Sequence, residues 1–319
     1  MQSDRRLATM VGFTAVLMWS LLALFTAASG AVPPFQLTAL AFAIAGGAGM
    51  AWIAARGRWA DLRQPVAAWI LGVGGLFGFH FFYFTALRNA PPVEASLIAY
   101  LWPLLIVVLS AFLPGERLRW FHVAGAALGL AGTMLVVTGG TGVSVDLLYV
   151  PGYAAAFVSA VAWSTYSVMS RRFAHVPTGA VAGFCLVTAL LAAVAHLLAE
   201  ETVWPAAPTE WLAVVGLGLM PVGAAFYVWD YGVKRGDIQV LGASAYAAPL
   251  LSTGILMLAG LAAPSRAIAM AALLITGGAA LAAKEVFRRR RASGGSKPPS
   301  GRDARPSRST VSGTGHHLK

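Results

Sequence analysis

Tyr100-Leu101-Trp102-Pro103-Leu104-Leu105 and Tyr246-Ala247-Ala248-Pro249-Leu250-Leu251 share one pattern, 146 residues apart. The same shift carries Arg88 onto Lys234, and Leu128, Gly132 and Leu135 onto Leu274, Gly278 and Leu281. Near the start of each copy a shift of 144 lays Trp19-Ser20 on Trp163-Ser164. The chain therefore holds one unit twice, over residues 8–138 and 150–287.

What that unit is follows from composition. Of 319 residues 58% are hydrophobic and 11% charged, where soluble domains carry roughly 25% charge. The charges cluster and leave apolar runs of about 20 residues, the length that crosses a hydrocarbon layer of about 30 Å as helix. Such runs fall at 8–29, 33–55, 65–87, 92–112 and 120–138, then at 150–170, 178–199, 208–231, 238–261 and 265–287. Proline and glycine signals such as Pro33-Pro34, Pro91-Pro92, Gly139-Gly140 and Pro264 separate them. The expected fold is all-α and integral to the membrane, with ten transmembrane helices. Five spans per unit is an odd number, so the second unit must cross the bilayer upside down. Inverted repeats of this kind characterise secondary transporters, because two similar halves can exchange conformations at similar energy. A channel or a membrane-embedded enzyme has no such need, and no span carries paired His, Asp or Glu at i,i+3 or i,i+4.

The net charge of +11 points to membrane topology and not to nucleic acid. With the N-terminus inside, eleven Lys and Arg (Arg5, Arg6, Arg56, Arg58, Arg63, Arg117, Arg119, Arg171, Arg172, Lys234, Arg235) fall on the inner side, against Arg88 and Arg266 outside. Positive charge marks the cytoplasmic side, which places both termini there. The first span is too long for a signal-peptide core and has its counterpart in the second unit. Residues 288–319, rich in Arg, Gly, Ser and Pro, are expected to form a disordered basic cytoplasmic tail. Cys185 stands alone inside an apolar run, which excludes a disulfide or a thiolate metal site within one chain.

The motifs resemble a known family. Trp19-Ser20, the turn Pro114-Gly115-Glu116-Arg117-Leu118 and the glycines from Gly125 to Gly132 are similar to those of the drug/metabolite transporter superfamily, EamA type. The resemblance covers residues 8–287. Within it, Ala99-Tyr100-Leu101-Trp102-Pro103 and Tyr227-Val228-Trp229-Asp230-Tyr231-Gly232 resemble the YddG-type aromatic amino acid exporters. That implies a multi-pass carrier of a bacterial inner membrane, with amino acids and lipid as partners, no cofactor and no metal, acting as monomer or weak homodimer. The second half reads Ala259-Gly260-Leu261-Ala262-Ala263-Pro264 at the equivalent turn. Glu116 is accordingly expected to do no more than cap a helix.

Polar groups inside spans should face the bundle interior, since lipid offers them no partners. His80 lies deep in the third span with Tyr83 on its stripe. Tyr100 and Trp102 flank Pro103 in the fourth, and Tyr246 precedes Pro249 in the ninth; each proline removes a helix hydrogen bond, making Pro103 and Pro249 candidate hinges. Trp163 and Tyr166 share a face of the sixth span, and Trp19 with Ser20 repeats the pair in the first. An aromatic cavity with a few hydroxyls suits a zwitterion with an apolar side chain, its ammonium against ring faces and its carboxylate on hydroxyls and His80. Asp230 is the one carboxylate well inside a span. It is a candidate proton or ammonium site, with an i,i+4 pair to Lys234 as the competing role. Phosphorylated substrates would require several cations within the spans, where Arg88, Lys234 and Arg266 all lie near ends. An exporter of aromatic and other neutral amino acids is the leading expectation; carriers of other metabolites or drugs, and a channel, are the alternatives.

Overall fold

The computed structural model describes residues 2–140, 146–260 and 263–284, and the regular structure among them is helical. Ten apolar helical segments run α1 Asp4–Ala28, α2 Pro34–Arg56, α3 Val66–Asn89, α4 Pro92–Phe112, α5 Trp120–Thr138, α6 Leu147–Met169, α7 Ala180–Ala199, α8 Pro208–Arg235, α9 Ile238–Leu258 and α10 Arg266–Ala282. Nine have the length and hydropathy to cross a membrane, and α10 is apolar and shorter. The expected end of the last span at 285–287 and the tail at 288–319 lie outside the described residues. Helix α8 runs four residues past its expected end at 231, because Lys234 finds partners inside the bundle.

Proline starts α2, α4 and α8 in the first helical turn, where its missing N–H removes no bond. Gly57, at φ 64°, closes α2 in the left-handed conformation that glycine adopts without strain.

The two halves pack as a self-complementary pair. Helix α1 lies along α8 and its repeat mate α6 along α3; α2 lies along α7, and α5 along α10. Secondary pairs obey the same exchange: α3 touches α7 as α8 touches α2, and α4 touches α6 as α9 touches α1. Swapping the halves maps each of these contacts onto another or onto itself, the signature of a two-fold relation. Because each half has an odd number of spans, the axis lies across the helices.

Association of apolar helices in lipid depends on close packing more than on expulsion of water. Glycine supplies that closeness. A Cβ on Gly232 of α8 would stand 2.5 Å from the Gly12 Cα of α1, and one on Gly125 of α5 would stand 2.5 Å from the Gly278 carbonyl of α10.

Several helices are interrupted near mid-length. Helix α4 breaks at Tyr100-Leu101, just before Pro103, and α9 at Ala245-Tyr246, three residues before Pro249. The Tyr246 hydroxyl accepts the Leu104 N–H at 3.2 Å, so one half closes a backbone group at the other's break. Helix α1 breaks at Ser20-Leu21, whereas its mate α6 is continuous through Trp163-Ser164. Helix α8 widens into a π-turn at Met220–Ala224 around Pro221, and its mate α3 shows none. The repeat is thus symmetric in packing and asymmetric in its breaks.

Candidate functional site

Where α1, α4, α6 and α8 meet, each contributes one tryptophan. The ring centroids of Trp19, Trp102, Trp163 and Trp229 lie 5.0–6.3 Å apart in all six pairs, mostly edge to face. Such contacts add about 0.5–1.5 kcal/mol each beyond burial. Phe226 and Phe79 extend the cluster from Trp163. His80 sits among Phe42, Phe79, Phe84 and Phe226, with centroids 5.1–6.3 Å from its ring. Tyr83 stacks on Phe79 at 5.8 Å and Tyr166 lies against Trp163 at 5.3 Å.

The structure thus brings Trp19, Trp102, Trp163, Tyr166, His80 and Tyr83 into one aromatic group at the seam. Tyr246 lies apart from it, fully buried, its ring edge against Gly129 of α5 and its hydroxyl on Leu104. Trp229, Phe226, Phe79 and Phe42 belong to the group and were not among the candidates. The 146-residue shift could have found two of them, since it places Trp229 on Tyr83 and Phe226 on His80. The repeat mates Trp19 and Trp163 touch, as do His80 and Phe226, so the two-fold axis passes close to these rings.

Hydrogen-bond commitments decide what the group offers a ligand. The Ser20, Ser159 and Ser164 hydroxyls donate to carbonyls of their own helices, leaving only lone pairs outward. Trp19 Nε1 donates to the Pro221 carbonyl at 3.1 Å and Trp229 Nε1 to Ser167 Oγ at 3.0 Å. Among the described residues no acceptor binds Trp102 Nε1, Trp163 Nε1 or the Tyr100 hydroxyl. His80 Nδ1 lies 2.7 Å from the Leu76 carbonyl, which can only accept. Nδ1 therefore carries the proton, and Nε2 of the neutral ring is an acceptor.

Asp230 makes the i,i+4 pair with Lys234, inside the bundle. It is 1% exposed and holds Lys234 at 2.9 Å, the Thr178 hydroxyl at 2.8 Å and the Tyr166 hydroxyl at 3.5 Å. Lys234 also donates to the Val176 carbonyl at 3.0 Å. The void beside them, about 10 Å³, is lined by Tyr166, Ser170, Asp230 and Lys234 among others; this is room for about one water. A shallow apolar concavity of about 540 Å³ at the start of α8 is lined by Ala206, Pro208, Trp211 and Leu212 among others, and by none of the four clustered tryptophans.

The seam is packed unevenly along its length. From Ile238 to Tyr246 all residues but Val240 and Ser244 are buried. Every residue from Phe77 to Thr85, and from Leu250 to Met257, is half-buried. A helix packed on one side only would alternate, so these stretches are loosely packed all round.

A helical membrane bundle of two repeated halves, meeting at a ring-lined seam packed less tightly toward one end, is the architecture of a solute transporter and not of an enzyme. The chain belongs to the EamA-like transporter family, whose model matches residues 6–138 and 150–283. It is similar to the aromatic amino acid exporter YddG of Ancylobacter novellus, 61% identical over 276 residues that span 85% of this chain and 95% of that protein. The aromatic amino acid exporter YddG of Escherichia coli is 23% identical over 79% of this chain and 88% of its own length. A biotin transporter of Salmonella typhimurium matches at 26% identity over 57% and 60%. A solved crystal structure superimposes with a TM-score of 0.84 at 60% identity, covering 88% of this chain and 98% of that one.

Proposed function

We propose that this protein exports aromatic and other neutral amino acids across the bacterial cytoplasmic membrane by alternating access, holding them at the seam between its halves. The observation that carries the reading is the tryptophan cluster with its uncommitted polar groups. Trp102, Trp163 and Tyr100 retain donors for a carboxylate, and His80 Nε2 retains a lone pair for an ammonium. The surrounding ring faces suit an aromatic side chain and favour a cation nearby. The names of its relatives support the same substrate class. The distribution of Lys and Arg supports cytoplasmic termini. One chain supplies both sides of the seam, so a monomer suffices.

The test is uptake of labelled Phe, Trp, Thr and Met into proteoliposomes, with and without a proton gradient, beside biotin as a ligand lacking an ammonium. Saturable flux of the amino acids supports the proposal. Flux no greater than in empty vesicles, or flux confined to biotin, refutes it.

A further inference from the structure

The closed end of the seam carries a group of charges that the transport reading does not use. Glu116, in the connection between α4 and α5, is not a helix cap: Arg119 occupies that position on α5. Glu116 instead receives both Arg5 from α1, at 3.0 and 3.1 Å, and Arg171 from the end of α6. Arg171 also donates to the Gly236 carbonyl, and Arg5 lies 3.4 Å from Asp237, whose N–H is bonded to Thr9 at 2.8 Å. One carboxylate thereby ties the ends of α1, α4 and α6 to the α8–α9 connection, across the line between the halves. Its side chain is 11% exposed and that of Arg171 15%, so the bond is poorly screened. Just inside it the buried Gln239 of α9 donates to the buried Ser110 of α4 at 3.2 Å.

The other end is held by a different bridge, in which Glu200, just past α7, receives Arg88 of α3 at 2.7 Å and the Phe35 and Gln36 N–H groups of α2 at 3.0 and 3.1 Å. The repeat shows that the two bridges are not mates. A shift of 144 carries Arg5 onto Tyr149 and Ala27 onto Arg171, and a shift of 146 carries Glu116 onto Ala262. The carboxylate and both cations are all missing from the mate positions. The two ends are thus held by different partners, and opening this one requires breaking the Glu116 bridge.

We infer that Glu116, through Arg5 and Arg171, is a gate residue that holds this end shut in the empty transporter. The inference rests on the alternating-access reading. It needs no knowledge of the substrate, because the gate acts on the empty protein.

Accessibility of a thiol behind the gate tests it. In a C185A background, S110C introduces a thiol at a site fully buried in this state. A membrane-impermeant maleimide is applied to purified protein from both sides, and its labelling rate reports how often the gate opens. E116Q is expected to raise that rate about tenfold and R171Q to raise it as well, with the double variant no faster than the faster single one, because each single variant already breaks the Glu116–Arg171 pair. R6Q, which removes a neighbouring charge outside the bridge, is expected to leave the rate unchanged. Rates that stay at the parental value in variants shown folded by thermal unfolding, or single effects that simply multiply in the double variant, overturn the inference. Should E116Q fail to fold, R171Q and R5Q carry the same comparison. A protein that transports no amino acid but shows these rate changes would refute the proposed substrate and leave the gate standing.

Discussion

Replacing His80 by Phe separates the two readings of that side chain. The ring volume is nearly kept, as are the contacts with Phe42 at 5.1 Å and Phe226 at 6.3 Å; what is lost is Nε2, the acceptor left over once Nδ1 is committed to Leu76 at 2.7 Å. A hydrogen bond to a charged group contributes about 1.5–3 kcal/mol, which corresponds to about 10- to 140-fold in affinity. Three ligands distinguish which charge His80 meets: phenylalanine, phenethylamine without the carboxylate, and 3-phenylpropionate without the ammonium. Calorimetric titration of wild type and H80F should show phenylalanine and phenethylamine weakened by that factor, while 3-phenylpropionate keeps its affinity. If 3-phenylpropionate weakens as much as phenylalanine, His80 serves the carboxylate and the tautomer reasoning fails. If all three bind H80F as they bind wild type, His80 is only part of the wall.

Three further outcomes concern the frame that holds the cluster. Gly232→Ala forces α1 away from α8 at a backbone contact and lengthens the Trp19–Pro221 bond; overpacking of this kind costs about 1–3 kcal/mol and should lower the melting temperature by several degrees in detergent, whereas Gly74→Ala, which meets open space, should not. Ser167→Ala leaves the fully buried Trp229 N–H without its acceptor, a loss of about 1–3 kcal/mol visible by thermal unfolding with tryptophan emission; unchanged stability would mean that Trp229 finds another partner. Asp230→Ala strands the buried Lys234 charge, which should cost about 3–5 kcal/mol, and D230L/K234M should recover most of it. A double variant no better than the single one would show that Thr178 and Tyr166 depend on the carboxylate as well.

Much of this protein was written in its residue order. Span positions, the two-unit repeat and its inversion follow from hydropathy and from matches such as Trp19-Ser20 with Trp163-Ser164, because lipid forces each apolar run of about 20 residues into a helix of set length. Most of the aromatic group could be named for the same reason: polar and aromatic residues in mid-span have nowhere else to face. Tertiary structure decided the rest. It separated Tyr246 from the aromatic group, added Trp229 and Phe226, and assigned each indole N–H and serine hydroxyl to a carbonyl, a hydroxyl or no partner. It also turned Glu116 from an apparent cap into the centre of a bridge to Arg5 and Arg171, 111 and 55 residues away. Periodicity along one chain records which face a side chain occupies; which atom its last proton or lone pair meets depends on the rotation and depth of a neighbouring helix, and that is settled only when the two halves close on each other.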